Sequence, residues 1–238
     1  MKTCLKVFGL CPNLIGCTLS FAFQSPPWTA IPPDVPIVHQ LQALTLWAQH
    51  DQTNEFFDHL TLPALSAFAL ESYGCDLPDW SQDSFVGFLS RSGCYLKTFK
   101  VHTPALSSDE LVELLCLLPT LTELSIEGTE IEVLGDTLFH SLTYDETTGW
   151  SCLCPKLEIF AFGGYFVLSE GTLARMLESR YRSDTSQSQN TCLRRVTVML
   201  TDRYGHEGLE MYTKELETIR KKGLRVVVEE MDRRRRLI

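Results

Sequence analysis

The chain is short of positive charge. In 238 residues, 21 Lys and Arg stand against 30 Asp and Glu, a formal net charge of −9. Arg220 to Arg236 alone holds eight basic and three acidic residues, so the remainder carries −14. An acidic body repels phosphate backbones and lacks the many cationic contacts that release counterions, which excludes a general nucleic-acid-binding surface. Long hydrophobic runs are also missing. The most apolar stretch near the start, Val7 to Phe23, is interrupted by Pro12, Asn13 and Thr18 and is too short for a bilayer span, so no membrane role is expected. No Asn-x-Ser/Thr glycosylation acceptor occurs. No heptad continues past the prolines and glycines, which excludes a coiled coil. Hydrophobic residues at 44% and charged residues at 21% are ordinary globular usage, which excludes a wholly disordered chain.

Paired-cysteine metal motifs are absent as well. The nine cysteines (4, 11, 17, 75, 94, 116, 152, 154, 192) are an odd set in a chain large enough to fold without disulfide staples, and they read as reduced thiols in the core. Cys152 and Cys154 have no matching second pair, so no metal and no other cofactor is expected. Lys2 and Lys6 before an apolar run that ends near Phe21-Ala22-Phe23 imitate a secretory leader. Pro12 and Asn13 break that run, and the segment fits the repeat described next, so a cytoplasmic or nuclear location is expected. Residues 233–238, with Arg233 to Arg236, form a basic tail, read either as a solvated end or as a nuclear-import or acidic-partner contact.

What is present is an internal repeat, a cassette LxxLxL often preceded by proline. Leu14 leads to Cys17 and Leu19, Leu41 to Leu44 and Leu46, and Leu65 to Phe68 and Leu70. Leu96 leads to Phe99 and Val101, Leu121 to Leu124 and Ile126, Leu157 to Phe160 and Phe162, and Leu193 to Val196 and Val198. A final β-prone run, Leu224 to Val228, makes eight. First leucines at 14, 41, 65, 96, 121, 157, 193 and 224 give steps of 27, 24, 31, 25, 36, 36 and 31, an irregular period. The fourth and sixth cassette positions point inward from a short strand, and the first leucine covers the same core. One such unit has too few apolar side chains to be stable alone, so the units must stack, with a parallel sheet on one side.

Helical periodicity fills the gaps between cassettes. Ser107 to Leu118 carries a capping box, Ser107 with Glu110, and an apolar face of Leu111, Leu114, Leu115 and Leu118. Ser84–Ser90, Ser169–Arg182 and His206–Lys222 read as further amphipathic helices, the last with Leu209, Tyr212, Leu216 and Ile219 inward. Gln24–Pro36 holds five of the eleven prolines and reads as a loop, as do Arg182–Asn190 and Tyr144–Trp150.

With these residues the chain resembles a leucine-rich-repeat protein and, more narrowly, the substrate-recognition region of fungal F-box proteins. The resemblance is carried by Leu117-Leu118-Pro119-Thr120-Leu121-Thr122-Glu123-Leu124-Ser125-Ile126 and its echo Leu153-Cys154-Pro155-Lys156-Leu157-Glu158-Ile159-Phe160. It implies an α/β fold, a leucine-rich-repeat-like solenoid over residues 1–232 with about eight irregular repeats, a curved parallel sheet on the concave side and helices and loops on the convex side. It also implies a noncatalytic protein-interaction module that recognises a protein target. Two departures stand out. The ninth cassette positions are Ala22, Gln49, Tyr73, Pro104, Thr129, Tyr165 and Thr201 where regular repeats carry Asn or Cys. The trihelical F-box has no room before Leu14, so substrate recognition for an SCF-type ubiquitin ligase, and contact with other SCF components, requires an F-box supplied upstream. The alternative is a structural scaffold or a secreted receptor-like repeat protein with no ligase connection.

The third, fifth and seventh cassette positions then face the concave side. Most are small, and Trp47, Glu71, Lys100, His102, Glu123, Glu127 and Arg195 are the expected anchors for a protein partner. No catalytic residues are nominated. His102 beside Lys100 has no serine nucleophile, paired acid or metal set at fixed spacing, and the other histidines, His39, His50, His59, His140 and His206, are scattered and expected to be exposed. Gly163-Gly164-Tyr165-Phe166 lacks either phosphate-loop form and reads as a strand exit.

Overall fold

The structure is a computed structural model and describes residues 7–20, 37–48, 52–72, 81–102, 106–127, 134–144, 152–164, 166–181, 193–200 and 205–230. The chain divides into two compact units, Met1–Ala105 and Leu106–Ile238.

The first unit begins with helical residues 7–10 and continues through β1 (Gly16–Ser20), β2 (Ile37–Val38), β3 (Ala43–Ala48), α1 (Gln52–Asp58), β4 (Leu60–Thr61), β5 (Ala67–Ser72), α2 (Gln82–Ser92) and β6 (Thr98–His102). Strands β1, β3, β5 and β6 lie side by side in that order, all parallel. Strands β2 and β4 form a separate two-stranded parallel pair.

The second unit holds α3 (Ser108–Cys116), β7 (Glu123–Glu127), β8 (Leu134–Gly135), α4 (Asp136–Leu142), β9 (Ile159–Gly164), β10 (Phe166–Val167), α5 (Thr172–Arg180), β11 (Arg195–Leu200), α6 (Gly205–Lys221) and β12 (Arg225–Glu230). Its order is β7-β9-β11-β12, again parallel, with β8 and β10 paired separately. Both units are α/β, with helices between the strands of a parallel sheet.

One local device recurs at the entry to the strands. The amide of the first cassette leucine donates to the carbonyl three residues earlier at Leu14, Leu65, Leu121 and Leu157, at 3.0–3.3 Å. In each case proline occupies the next position after that carbonyl (Pro12, Pro63, Pro119, Pro155), where its fixed φ suits the second residue of a turn. Neighbouring rungs are then tied by a shared acceptor. Ile15, Gln42, Ser66, Thr122 and Glu158 each offer one carbonyl to two successive amides of the next strand's entry, at 2.8–3.2 Å.

From β3 to β11 the fourth and sixth positions are inward as the cassette requires, whereas Cys17 of β1 is half-buried and Val228 of β12 is exposed. Leu44, Leu46, Phe68, Leu70, Phe99, Leu124, Ile126, Phe160, Phe162, Val196 and Val198 are all buried, as are the first leucines from Leu41 to Leu193. Each such side chain contributes about 1.5–3 kcal/mol through removal from water. In the first unit Phe57 of α1 and Phe85 of α2 pack on Phe68 at 5.9 and 4.9 Å between ring centres, and Phe85 reaches Phe99 at 5.8 Å. In the second, Phe139 of α4 meets Phe160 and Phe162, and Phe166 meets Tyr212 of α6 at 4.8 Å. The core of each unit therefore lies between one sheet face and its helices.

Several expectations are adjusted. Helix α3 has the anticipated cap, with Ser107 Oγ accepting from the Glu110 amide and the Glu110 carboxylate accepting from Ser107. Helix α2 begins two residues before Ser84 because Ser81 is the cap. Helix α5 starts at Thr172 rather than Ser169, because Ser169 is engaged by Asp136. Helices α1 and α4, seven residues each, and the two small strand pairs were not anticipated, being too short to display a period. The last cassette starts one residue earlier than Leu224: Arg225 pairs with Arg195 and Val226 with Val196, so Gly223, at φ 107, takes the first position. His39 is buried rather than exposed, its ring against Phe8 at 5.3 Å and its Nε2 within 3.0 Å of the Cys11 carbonyl. Of the described free cysteines only Cys154 belongs to the core, whereas Cys11 and Cys116 are exposed. Gln24–Pro36, Arg182–Asn190, residues 145–150, the ninth cassette positions, His50 and the tail 233–238 lie outside the described residues.

Candidate interaction surfaces

Alternation along each strand sends the third, fifth and seventh positions away from the helices, and strand register then arranges them in rows. In the first unit one row is Gly16, Ala43, Ala67 and Thr98, and the next is Thr18, Thr45, Ala69 and Lys100. The third joins Ser20, Trp47 and Glu71, and His102 Nδ1 stands 3.7 Å from Glu71 Oε2. Small side chains make the floor, and the bulky and charged groups collect toward the carboxyl ends of the strands. Trp47, Glu71, Lys100 and His102 are all partly accessible.

In the second unit the rows are Glu123, Ile159, Arg195 and Arg225; Ser125, Ala161, Thr197 and Val227; and Glu127, Gly163, Met199 and Glu229. Glu123, Glu127 and Arg195 are half-buried on the outward face. The first row runs from a carboxylate to two guanidiniums, with the apolar Ile159 between them. Among the described residues the buried Nε of Arg195 has no hydrogen-bond partner, which keeps part of its donor capacity unspent. Gly163 is not open floor: a Cβ there would stand 2.6 Å from the Met199 Cβ, so Met199 covers it. The chain does leave β9 through this glycine pair, with Gly164 at φ 103.

The structure thus places the first four nominated anchors on the outward sheet face of the first unit and the remaining three on that of the second. Arg225 and Glu229 share the second face and were not nominated. The signal for them was available, since Arg225 repeats the Arg195-Val196 pattern once the cassette is shifted by one residue.

Other polar groups serve the fold. Arg180, on α5, is buried and donates from Nε to the Leu142 carbonyl, from Nη1 to that of Cys154 at 3.0 Å, and from Nη2 to that of Leu153. Desolvation pulls its pKa below the ordinary arginine value. Burial pushes the Cys154 thiol up to about 12. Glu215 accepts from the amides of Gly171 and Ala174, capping α5 from α6, and lines an open cleft of about 490 Å³ with Glu170, Glu210 and Lys214. Among the described residues no group of three or more His, Cys, Asp or Glu is placed to hold a metal ion, and no helix is long and apolar enough to cross a membrane.

Compared with family models, with curated proteins and with solved structures, the chain matches none of them.

Proposed function

We propose that each unit is a stack of irregular leucine-rich repeats and that the chain is a noncatalytic protein-interaction module whose outward sheet faces recognise a protein target. The observation that carries this reading is the row arrangement. A floor of Ala43, Ala67, Ala69 and Thr45 ends at Trp47, Glu71 and His102, and a floor of Ser125, Ala161 and Thr197 is bounded by Glu123, Glu127 and Arg195. Small side chains let a partner's backbone approach the sheet, while a tryptophan and an arginine are the residue types that most often dominate binding energy. The nearby charges then select the partner by complementarity.

Target recognition for an SCF-type ubiquitin ligase is the specific form of this role, with an F-box upstream supplying the adaptor contact. Sequence upstream of Met1 encoding a Leu-Pro-rich helical segment, together with adaptor capture by that longer chain, tests the ligase connection.

The surface itself is tested by photo-crosslinkers at Ala69 and Ala161, with Asp83 and Arg175 on the exposed helical side as controls. Crosslinks to the same target from the sheet positions only are expected. Trp47→Ala and Glu123→Lys should leave the melting temperature unchanged and weaken capture by at least about tenfold. Equal recovery by both variants moves the binding site off the sheet faces.

A further inference from the structure

The last strand of the second unit presents an open edge. Among the described residues β12 pairs with β11 and with no other strand. Successive residues of a strand turn their amide and carbonyl to opposite neighbours. The Arg195 amide is spent on the Glu158 carbonyl, so Arg195, Thr197 and Met199 face β9, and Val196, Val198 and Leu200 face β12. Arg225, Val227 and Glu229 answer them, which directs the backbone groups of Val226, Val228 and Glu230 at the free edge. The Val226 carbonyl agrees with that assignment, accepting from Arg220 Nη2 of α6 at 2.7 Å. A carbonyl has a second lone pair, so this contact leaves room for a strand amide.

The side chains mark the same edge as unfinished. Val228 occupies the sixth cassette position, whose equivalents Ile126, Phe162 and Val198 are at most 2% exposed, yet it is 40% exposed. The strand reads Arg-Val-Val-Val-Glu-Glu, with neither the proline nor the lysine that commonly blunts an edge. Arg225 and Glu229 are exposed on its outward side.

Backbone direction and charge together select the occupant. In an antiparallel pair the residues that exchange hydrogen bonds must both face the shared edge, so Val226 and Val228 can lie opposite only each other or another edge-facing residue. A two-fold axis at Val227 meets that condition. It sets Val226 opposite Val228 of a second copy, Val227 opposite Val227, and Arg225 and Glu229 opposite Glu229 and Arg225. The two ion pairs fall at positions without backbone bonds, where side chains across the strands are closest. The exposed Val228 gains the second copy's Val226 beside it. Moving the axis to Val226 or to Val228 sets Arg225 against Val227 or Val227 against Glu229, and both ion pairs are lost.

We propose that β12 is a self-association edge, through which two copies of this chain pair antiparallel about Val227 with Arg225 of each on Glu229 of the other. The same patch serves both copies, so the contact closes as a dimer rather than growing into a filament.

Sedimentation velocity of the full chain, thiols reduced, over a dilution series tests this edge. A monomer–dimer equilibrium is expected. Arg225→Glu and Glu229→Arg each place like charges opposite one another twice across the axis and should weaken self-association by at least about tenfold, with melting unchanged. An equimolar mixture of these two variants should recover the dimer, as should the double variant, because both restore opposite charges in the same register. Val228→Pro removes an amide that bonds nothing in the described chain and should abolish the dimer. A monomer at every concentration overturns the proposal. So does a dimer that either charge reversal or Val228→Pro leaves intact, a mixture of the single variants that stays monomeric, or growth beyond two chains.

Discussion

Replacing Arg180 by methionine isolates what one buried cation does for the second unit. The substitution keeps the length and most of the apolar stem but removes every N–H donor. Three carbonyls, those of Leu142, Leu153 and Cys154, then lose this donor, and all three residues are buried; Cys154 keeps the Leu157 amide, so the Leu142 and Leu153 carbonyls bear the loss. A buried acceptor left unpaired costs about 1–3 kcal/mol, so for these two carbonyls the gross loss is about 2–6 kcal/mol. Against this, the variant no longer desolvates a guanidinium, a burden real enough to pull the Arg180 pKa down. That relief recovers about 1–2 kcal/mol. The net expectation is a loss of about 1–4 kcal/mol, against about 5–15 kcal/mol of stability for an ordinary domain. Arg180→Lys should fall between the two, since one ammonium cannot span three carbonyls arranged around a planar fork. Urea unfolding followed by amide hydrogen exchange separates the units: protection should fall in α4, α5 and β9 and hold in residues 7–102. An Arg180→Met protein within about 0.5 kcal/mol of the original would refute the claim that these three bonds fix the packing of α5.

Further outcomes follow from the same geometry. Leu124→Asp puts an unpaired carboxylate beside Phe160 in the core of the second unit and should cost at least about 3 kcal/mol, read as loss of cooperative melting; an unchanged melting temperature would contradict the inward register. Gly163→Ala should destabilise by about 1–3 kcal/mol, and Met199→Ala should not rescue it, because the clash is with the Met199 Cβ and carbonyl rather than only the end of its side chain. The Asp136 carboxyl is held below the ordinary aspartate value, first by the Ser169 hydroxyl and then by its amide. A depressed folded-state value makes this contribution complete above the unfolded-state pKa and lost as pH falls through the folded-state value. Asp136→Asn should therefore flatten the acid limb of a stability-pH profile; equal slopes for the two proteins would rule the contact out as a source of acid sensitivity.

Much of the backbone plan was legible because it depends on local chemistry repeated many times. Leucine spacing announced seven strand positions correctly, and Ser107 with Glu110 announced a helix start, since a cap is satisfied within four residues. The shifted last strand shows the limit of that reading. Leu224 is as buried as a true cassette leucine, and only hydrogen-bond register reveals that Gly223 holds the first place. The short helices α1 and α4 escaped because seven residues hold under two turns of period.

The sequence by itself determined which side chains turn inward, since alternation along a strand and proline-initiated turns are properties of adjacent residues. It nominated the outward anchors by the same alternation. Only the tertiary structure decided which of them meet: Glu71 with His102, Glu123 in one row with Arg195 and Arg225, Met199 over Gly163. It also decided that His39 and Arg180 are buried, because a polar side chain is drawn inside by carbonyls distant in sequence, at Cys11 for one and at Leu142, Leu153 and Cys154 for the other. Those acceptors come from other turns of the chain, and no periodicity in the sequence records where folding will carry them.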